Sequence, residues 1–124
     1  MSYEQELHRF TRPAAADLST KQYYGVKIDS SGNIALAGEG DIAVGILQNA
    51  PAAAGRAANV AFGGVSKVVG GATVAAGARF SFNSSGVAVS VGSGDDQGMG
   101  IVLEDLASGK IGTVLIQPVG NVGT

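Results

Sequence analysis

Few residues in this chain have the chemistry for a reactive site, and they are scattered. The single histidine, His8, stands between Leu7 and Arg9. Acid–base or triad chemistry needs such a ring within reach of an orienting carboxylate and a nucleophile. His8 has neither beside it in sequence and reads as a surface side chain. Two acidic pairs, Asp95–Asp96 within GSGDDQGMG and Glu104–Asp105, are the remaining concentrations of oxygen ligands. Neither has the spacing of a calcium loop, so both read as solvent-facing turn acids that raise solubility. Gly63–Gly64–Val65–Ser66–Lys67 and Ala107–Ser108–Gly109–Lys110 each set a lysine near glycine. Neither completes the GxxxxGK[ST] pattern, and no long helix follows to aim its dipole at a phosphate. Their glycines read as turns, corners and close strand approaches. Cysteine is absent, which excludes disulfides and thiolate metal sites and suits a reducing cytoplasm. No catalytic residue, metal or cofactor is expected, and the chain reads as a non-enzyme.

The elements that would position any site come from a duplication. Val26–x–Ile28–Asp29–Ser30–Ser31–Gly32 lines up with Phe80–x–Phe82–Asn83–Ser84–Ser85–Gly86. Gly45–Ile46–Leu47 then matches Gly100–Ile101–Val102, and Gly55–Arg56 with Val60–x–Phe62 matches Gly109–Lys110 with Val114–x–Ile116. The repeat spans residues 25–65 and 79–120. Alternation at Val26/Ile28, Ile34/Leu36, Phe80/Phe82 and Val87/Val89/Val91 predicts half-buried strands. Asx and Ser side chains that bond their own backbone, followed by glycine, predict a hairpin turn in each half. Further strands are expected at Ala43–Leu47, Ala57–Phe62, Gly98–Leu103 and Thr113–Gln117, with Gly45 and Gly100 at bulges or tight corners. Alanine propensity permits one helical turn in each of Ala50–Ala54 and Leu106–Ser108. Arg56 and Lys110 hold equivalent loop positions, as solvated charges or as contacts to a partner's acidic surface.

With 124 residues the chain has room for one domain. Twenty glycines, only 15% charged residues and a net charge of −2 describe a weakly charged β protein. No basic cluster points to nucleic acid, and no apolar run is long enough for a membrane helix. The opening MSYEQELHRFTRP lacks the apolar stretch of a secretion signal, so synthesis in the cytoplasm and use without export by the usual route are expected. The fold expected is all-β: a single small β-barrel or β-tulip-like domain of two similar halves (residues 21–124), with an extended N-terminal arm (residues 1–20).

Pro13 interrupts that arm, which lacks clear alternation and is expected to lie outside the core sheet. Tyr3, Leu7, Arg9, Phe10 and Arg12 gather aromatic, apolar and guanidinium groups, types that dominate interface hot spots. They are the candidate contact residues, either for an external partner or as a clasp between subunits.

Lys21–Asp29, the AVGIL block Ala43–Leu47, the A-x-V-x-F stretch Ala58–Phe62 and GIVLEDLASGKIGTVLI (100–116) resemble the small bacteriophage capsid decoration, or cement, proteins. In those proteins G[VI]L, an Ala/Gly-rich loop and V-x-[FVL]-x-G recur twice. The resemblance implies a β-tulip-like or related barrel that forms homotrimers on the outside of a phage head. Its partner would be the major capsid protein, its location the virion surface, and its task to bridge capsomers and stabilise the expanded, DNA-filled shell. Another virion module, such as a tail or fibre component, is the alternative; a small-ligand-binding barrel is a further one.

Overall fold

A computed structural model describes residues 7–38, 42–91 and 94–123. Among these the chain is all strand and turn, as the alternation predicts. Nine strands form one curled antiparallel sheet: β1 (Leu7–Pro13), β2 (Gly25–Ile28), β3 (Ile34–Leu36), β4 (Ala43–Leu47), β5 (Ala57–Val69), β6 (Arg79–Phe82), β7 (Ala88–Ser90), β8 (Gly94–Val102) and β9 (Ile111–Gly123). Their order is β3-β2-β4-β5-β9-β8-β6-β7, with β1 added on β5.

That order is a palindrome of one unit used twice. Gly25 opposes Ile46 and Val26 opposes Gly45; one repeat later Arg79 opposes Ile101 and Phe80 opposes Gly100. Ile46↔Ala61 and Leu47↔Val60 return as Ile101↔Leu115 and Val102↔Val114. The hairpin turns match atom for atom. The Asp29 carboxylate accepts the N–H groups of Ser31 and Asn33, both at 2.9 Å. Asn83 Oδ1 accepts those of Ser85 and Val87 at 2.8 and 3.4 Å. Gly32 and Gly86 complete the turns at φ 81° and 78°, a region open to glycine at no steric cost.

Residues 1–20, expected outside the sheet, need a correction: β1 pairs along β5 from Leu7↔Gly64 to Pro13↔Ala57. Its counterpart is the second half of β5. Phe10 opposes Val60 as Ser66 opposes Val114, and Ala14 bridges to Ile34 as Gly70 bridges to Ala88. β5 therefore closes the first unit with its first half and opens the second unit with its second. Two physical reasons hide β1 in the sequence. An end strand forms its backbone ladder without needing an alternating apolar face, and an end strand tolerates a proline that a central strand excludes.

Each unit has a core. Leu18, Val26, Ile34, Leu47 and Val60 pack in the first. Phe80, Met99, Val102, Leu106 and Val114 pack in the second, joined by Ile46 and Ala61 from the first. Burying side chains of this size stabilises a fold by about 1.5–3 kcal/mol each. The Ala50–Ala54 and Leu106–Ser108 connections form β-turns rather than helical turns, closed by Arg56 N–H to Ala53 O (3.2 Å) and Lys110 N–H to Ala107 O (3.1 Å). Gly55 and Gly109 hold positive φ inside them, which halts any helical continuation. Asp95 and Asp96, expected in a turn, lie in the backbone of β8. Gly45 and Gly100 are close approaches: a Cβ on either would collide with the carbonyl oxygen of Ala61 or Leu115.

Candidate functional site

Aromatic and charged side chains gather where β1 meets β5. Between His8 and Arg9 the register jumps from Gly63 to Ala61, so Phe62 is the extra residue of a β-bulge. A bulge re-aims the side chain it carries. Phe62 is turned outward beside the rings of Phe10 and His8, with centroids 5.8 and 6.0 Å away. Phe10 is half-buried against the first core. His8 and Arg9 are exposed.

Arg12 is exposed but engaged: its Nε donates to the Gly32 carbonyl at 2.9 Å, spanning from β1 to the first hairpin turn. The expected contact residues thus separate. Phe10 and Arg12 lie on one face of β1, against Phe62 and the Gly32 carbonyl, while Arg9 lies on the other face. Tyr3 and the side chain of Leu7 lie outside the described residues. Phe62 was not among the candidates. The signal that could have found it is Gly63–Gly64 directly after it, a mark of a bulge in a strand pattern.

The remaining chemical groups hold loops together. Glu104 Oε1 accepts the Thr113 hydroxyl at 2.9 Å, and Asp105 Oδ1 accepts the Ala76 N–H at 2.8 Å. Ser66, in the first glycine–lysine stretch, is buried in β5 and bonds Gln48 and Lys67. The Lys67 ammonium sits 5.8 Å from the Tyr23 ring centroid, a cation–π distance. Asp17 is held below its usual carboxyl range by hydrogen bonds from the backbone and side chain of Ser19. Among the described residues, no three His, Cys, Asp or Glu side chains converge as metal ligands would.

The architecture is shared with a phage protein. The chain is similar to the N base of head fiber gp8.5 in bacteriophage phi29, with a TM-score of 0.68 and 16% identity over 96% of this chain and 100% of that one. At that identity the likeness is one of fold. No family model and no curated protein sequence matches the chain.

Proposed function

We propose that this chain is a non-enzymatic structural protein of a phage virion that binds the outside of the head through the major capsid protein. In this reading it is a homotrimer that bridges capsomers and stabilises the expanded, DNA-filled shell. The observation that carries it is the fold shared along nearly the whole chain with a head-fiber base. The weakly charged, glycine-rich β surface suits such a role. Contacts made only in the expanded lattice stabilise that lattice by mass action, and three linked weak contacts gain from effective concentration. Of the expected contact residues, Arg9 is the described side chain best placed to reach capsid carboxylates, with Tyr3 and Leu7 preceding it in sequence.

The phi29 neighbour is named as the base of a fiber, which favours a second reading: a base that seats a projecting fiber on the head. Both readings place the chain on the head. Co-sedimentation with expanded and unexpanded shells tests them. Binding confined to expanded shells, weakened by Arg9→Glu, is the expected result. Failure to bind either shell, or a particle map that puts the chain on the tail, overturns the proposal. Density continuing outward from the bound chain selects the fiber base.

A further inference from the structure

The two units meet through different faces. The first closes one end of the second: Gly25 N–H donates to Gly86 O at 2.8 Å and Val69 N–H to Tyr23 O at 3.0 Å. Gln48 Nε2 donates to Ser66 Oγ at 2.9 Å, while Ile46 and Ala61 join the core around Phe80 and Phe82. A contact in which one unit offers one surface and its neighbour another is heterologous, and nothing in its geometry stops it recurring.

Each side of this contact has a counterpart left uncovered. On the receiving side, Ser66, Phe82 and Ile116 correspond by register to Phe10, Ile28 and Phe62. Phe82 and Ile116 are 6% and 4% exposed, whereas Ile28 and Phe62 are 45% and 44% exposed. By that register all three fall at one end of the first unit. Phe10 touches Phe62, and Arg12, two residues along the same face of β1, reaches the turn that follows Ile28.

On the covering side, Ile46, Gln48 and Ala61 correspond to Ile101, Leu103 and Leu115. Ile101 and Leu115 oppose each other across β8 and β9, and Leu103 lies two residues beyond Ile101. Ile46 and Ala61 are fully buried, Ile101 and Leu115 only half-buried, and Leu103 is 46% exposed. The uncovered copy of this surface is the more apolar of the two, with leucine in place of glutamine and leucine in place of alanine.

Such a pattern belongs to a two-unit piece of a longer row, in which one end lacks the unit before it and the other lacks the unit after it. We propose that a second copy of this chain supplies the missing neighbour: the Ile101–Leu103–Leu115 surface of one copy seats on the Phe10–Ile28–Phe62 surface of the next. Two substitutions within the repeat shape the contact. Arg79 stands where Gly25 does, so the close approach of Gly25 to Phe82 is not repeated between copies. Arg12 stands where Val68 does and already serves the Gly32 carbonyl, the counterpart of the Gly86 carbonyl, so no backbone donor is required of the neighbour. The contact is made by apolar side chains and runs head to tail. It rests on the homotrimer of the proposed function, for which it supplies the joining faces, and it does not require capsid binding.

The chain lacks cysteine, so introduced thiols report directly. In the repeat, Gln48 touches Ser66; between copies the corresponding pair is Leu103 and Phe10. Phe10→Cys and Leu103→Cys variants of the full chain are mixed, oxidised and resolved by mass, with Phe62→Cys replacing Phe10→Cys should the latter not fold. The expected result is a disulfide dimer holding one of each variant, at least tenfold more abundant than either self-linked dimer. Self-linked dimers in equal or greater yield mean that a face meets itself, and overturn the proposal. Absence of a mixed dimer from folded variants overturns it as well. Co-sedimentation with shells is read separately, so a linked pair that does not bind heads rejects the capsid reading and leaves this contact standing.

Discussion

Gly25 lies so close to Phe82 that a Cβ on it would come within 2.6 Å of three ring carbons. Phe82 is held in turn, edge-on to Phe80 at 5.8 Å and 80°, so its ring has little room to withdraw. Gly25→Ala is therefore expected to destabilise the protein by about 1–3 kcal/mol, the usual range for overpacking. Gly55→Ala is the comparison, with φ at 87° and nothing within 4 Å of an added Cβ. It carries only the backbone cost of a left-handed residue, about 1 kcal/mol. Urea unfolding midpoints rank the two, and a Gly25→Ala midpoint at or above that of Gly55→Ala contradicts the packing argument.

Asp29 and Asn83 perform one job with different side chains. Each sets an oxygen against two turn N–H groups. Asp29→Asn is expected to leave the unfolding midpoint nearly unchanged. Asp29→Ala removes both bonds and costs about 1 kcal/mol, since the freed Ser31 N–H is exposed to water and the Asn33 N–H is part-buried. Equal losses in the two variants would mean that the carboxylate charge, not its geometry, holds the turn.

These turns were legible because their chemistry sits in adjacent residues: an Asx oxygen, two serines and a glycine define the bend without help from the rest of the chain. β1 was not legible, because its partner is some fifty residues away and its own pattern has no alternating face. The same distance hides the second half of β5, where Val65, Ser66 and Lys67 follow two glycines that read as a turn, a corner or a close strand approach. The candidate site divides in the same way. Phe10 and Arg12 stand out by residue type alone. Ile28 and Phe62 look like core by alternation, and only the end of the first unit and the bulge in β5 bring them to the surface.

Asp17 accepts the Ser19 N–H at 2.9 Å in an exposed turn. Its folded pKa is depressed, so the stabilisation it contributes is present above the unfolded value and is lost as pH falls through the folded one. Carboxyl chemical shifts followed by NMR are expected to show Asp17 titrating below 3.8, and Ser19→Pro, which deletes the donating N–H, should move that midpoint upward. An unchanged midpoint rejects the assigned cause.

Two buried serines make opposite predictions. Ser66 Oγ accepts from Gln48 Nε2 and donates to the Lys67 carbonyl, both at 2.9 Å, which ties the two units together. Ser81, 3% exposed in β6, has a buried hydroxyl oxygen with no hydrogen-bond partner. A polar group buried without a partner costs about 1–3 kcal/mol, whereas a methyl group in its place loses nothing. Ser81→Ala is therefore expected to stabilise the protein by about 1 kcal/mol after the small loss of packing, and so to raise the urea midpoint. Ser66→Ala is expected to destabilise it by about 1 kcal/mol, because the Gln48 amide loses one of its two acceptors and keeps only the Ile46 carbonyl. Gln48→Leu, which places the residue of the equivalent position 103 in the first unit, should recover part of the Ser66→Ala loss when the two are combined. The double-mutant cycle measures that coupling; strict additivity would show that the Gln48–Ser66 bond contributes nothing to the joint between the units.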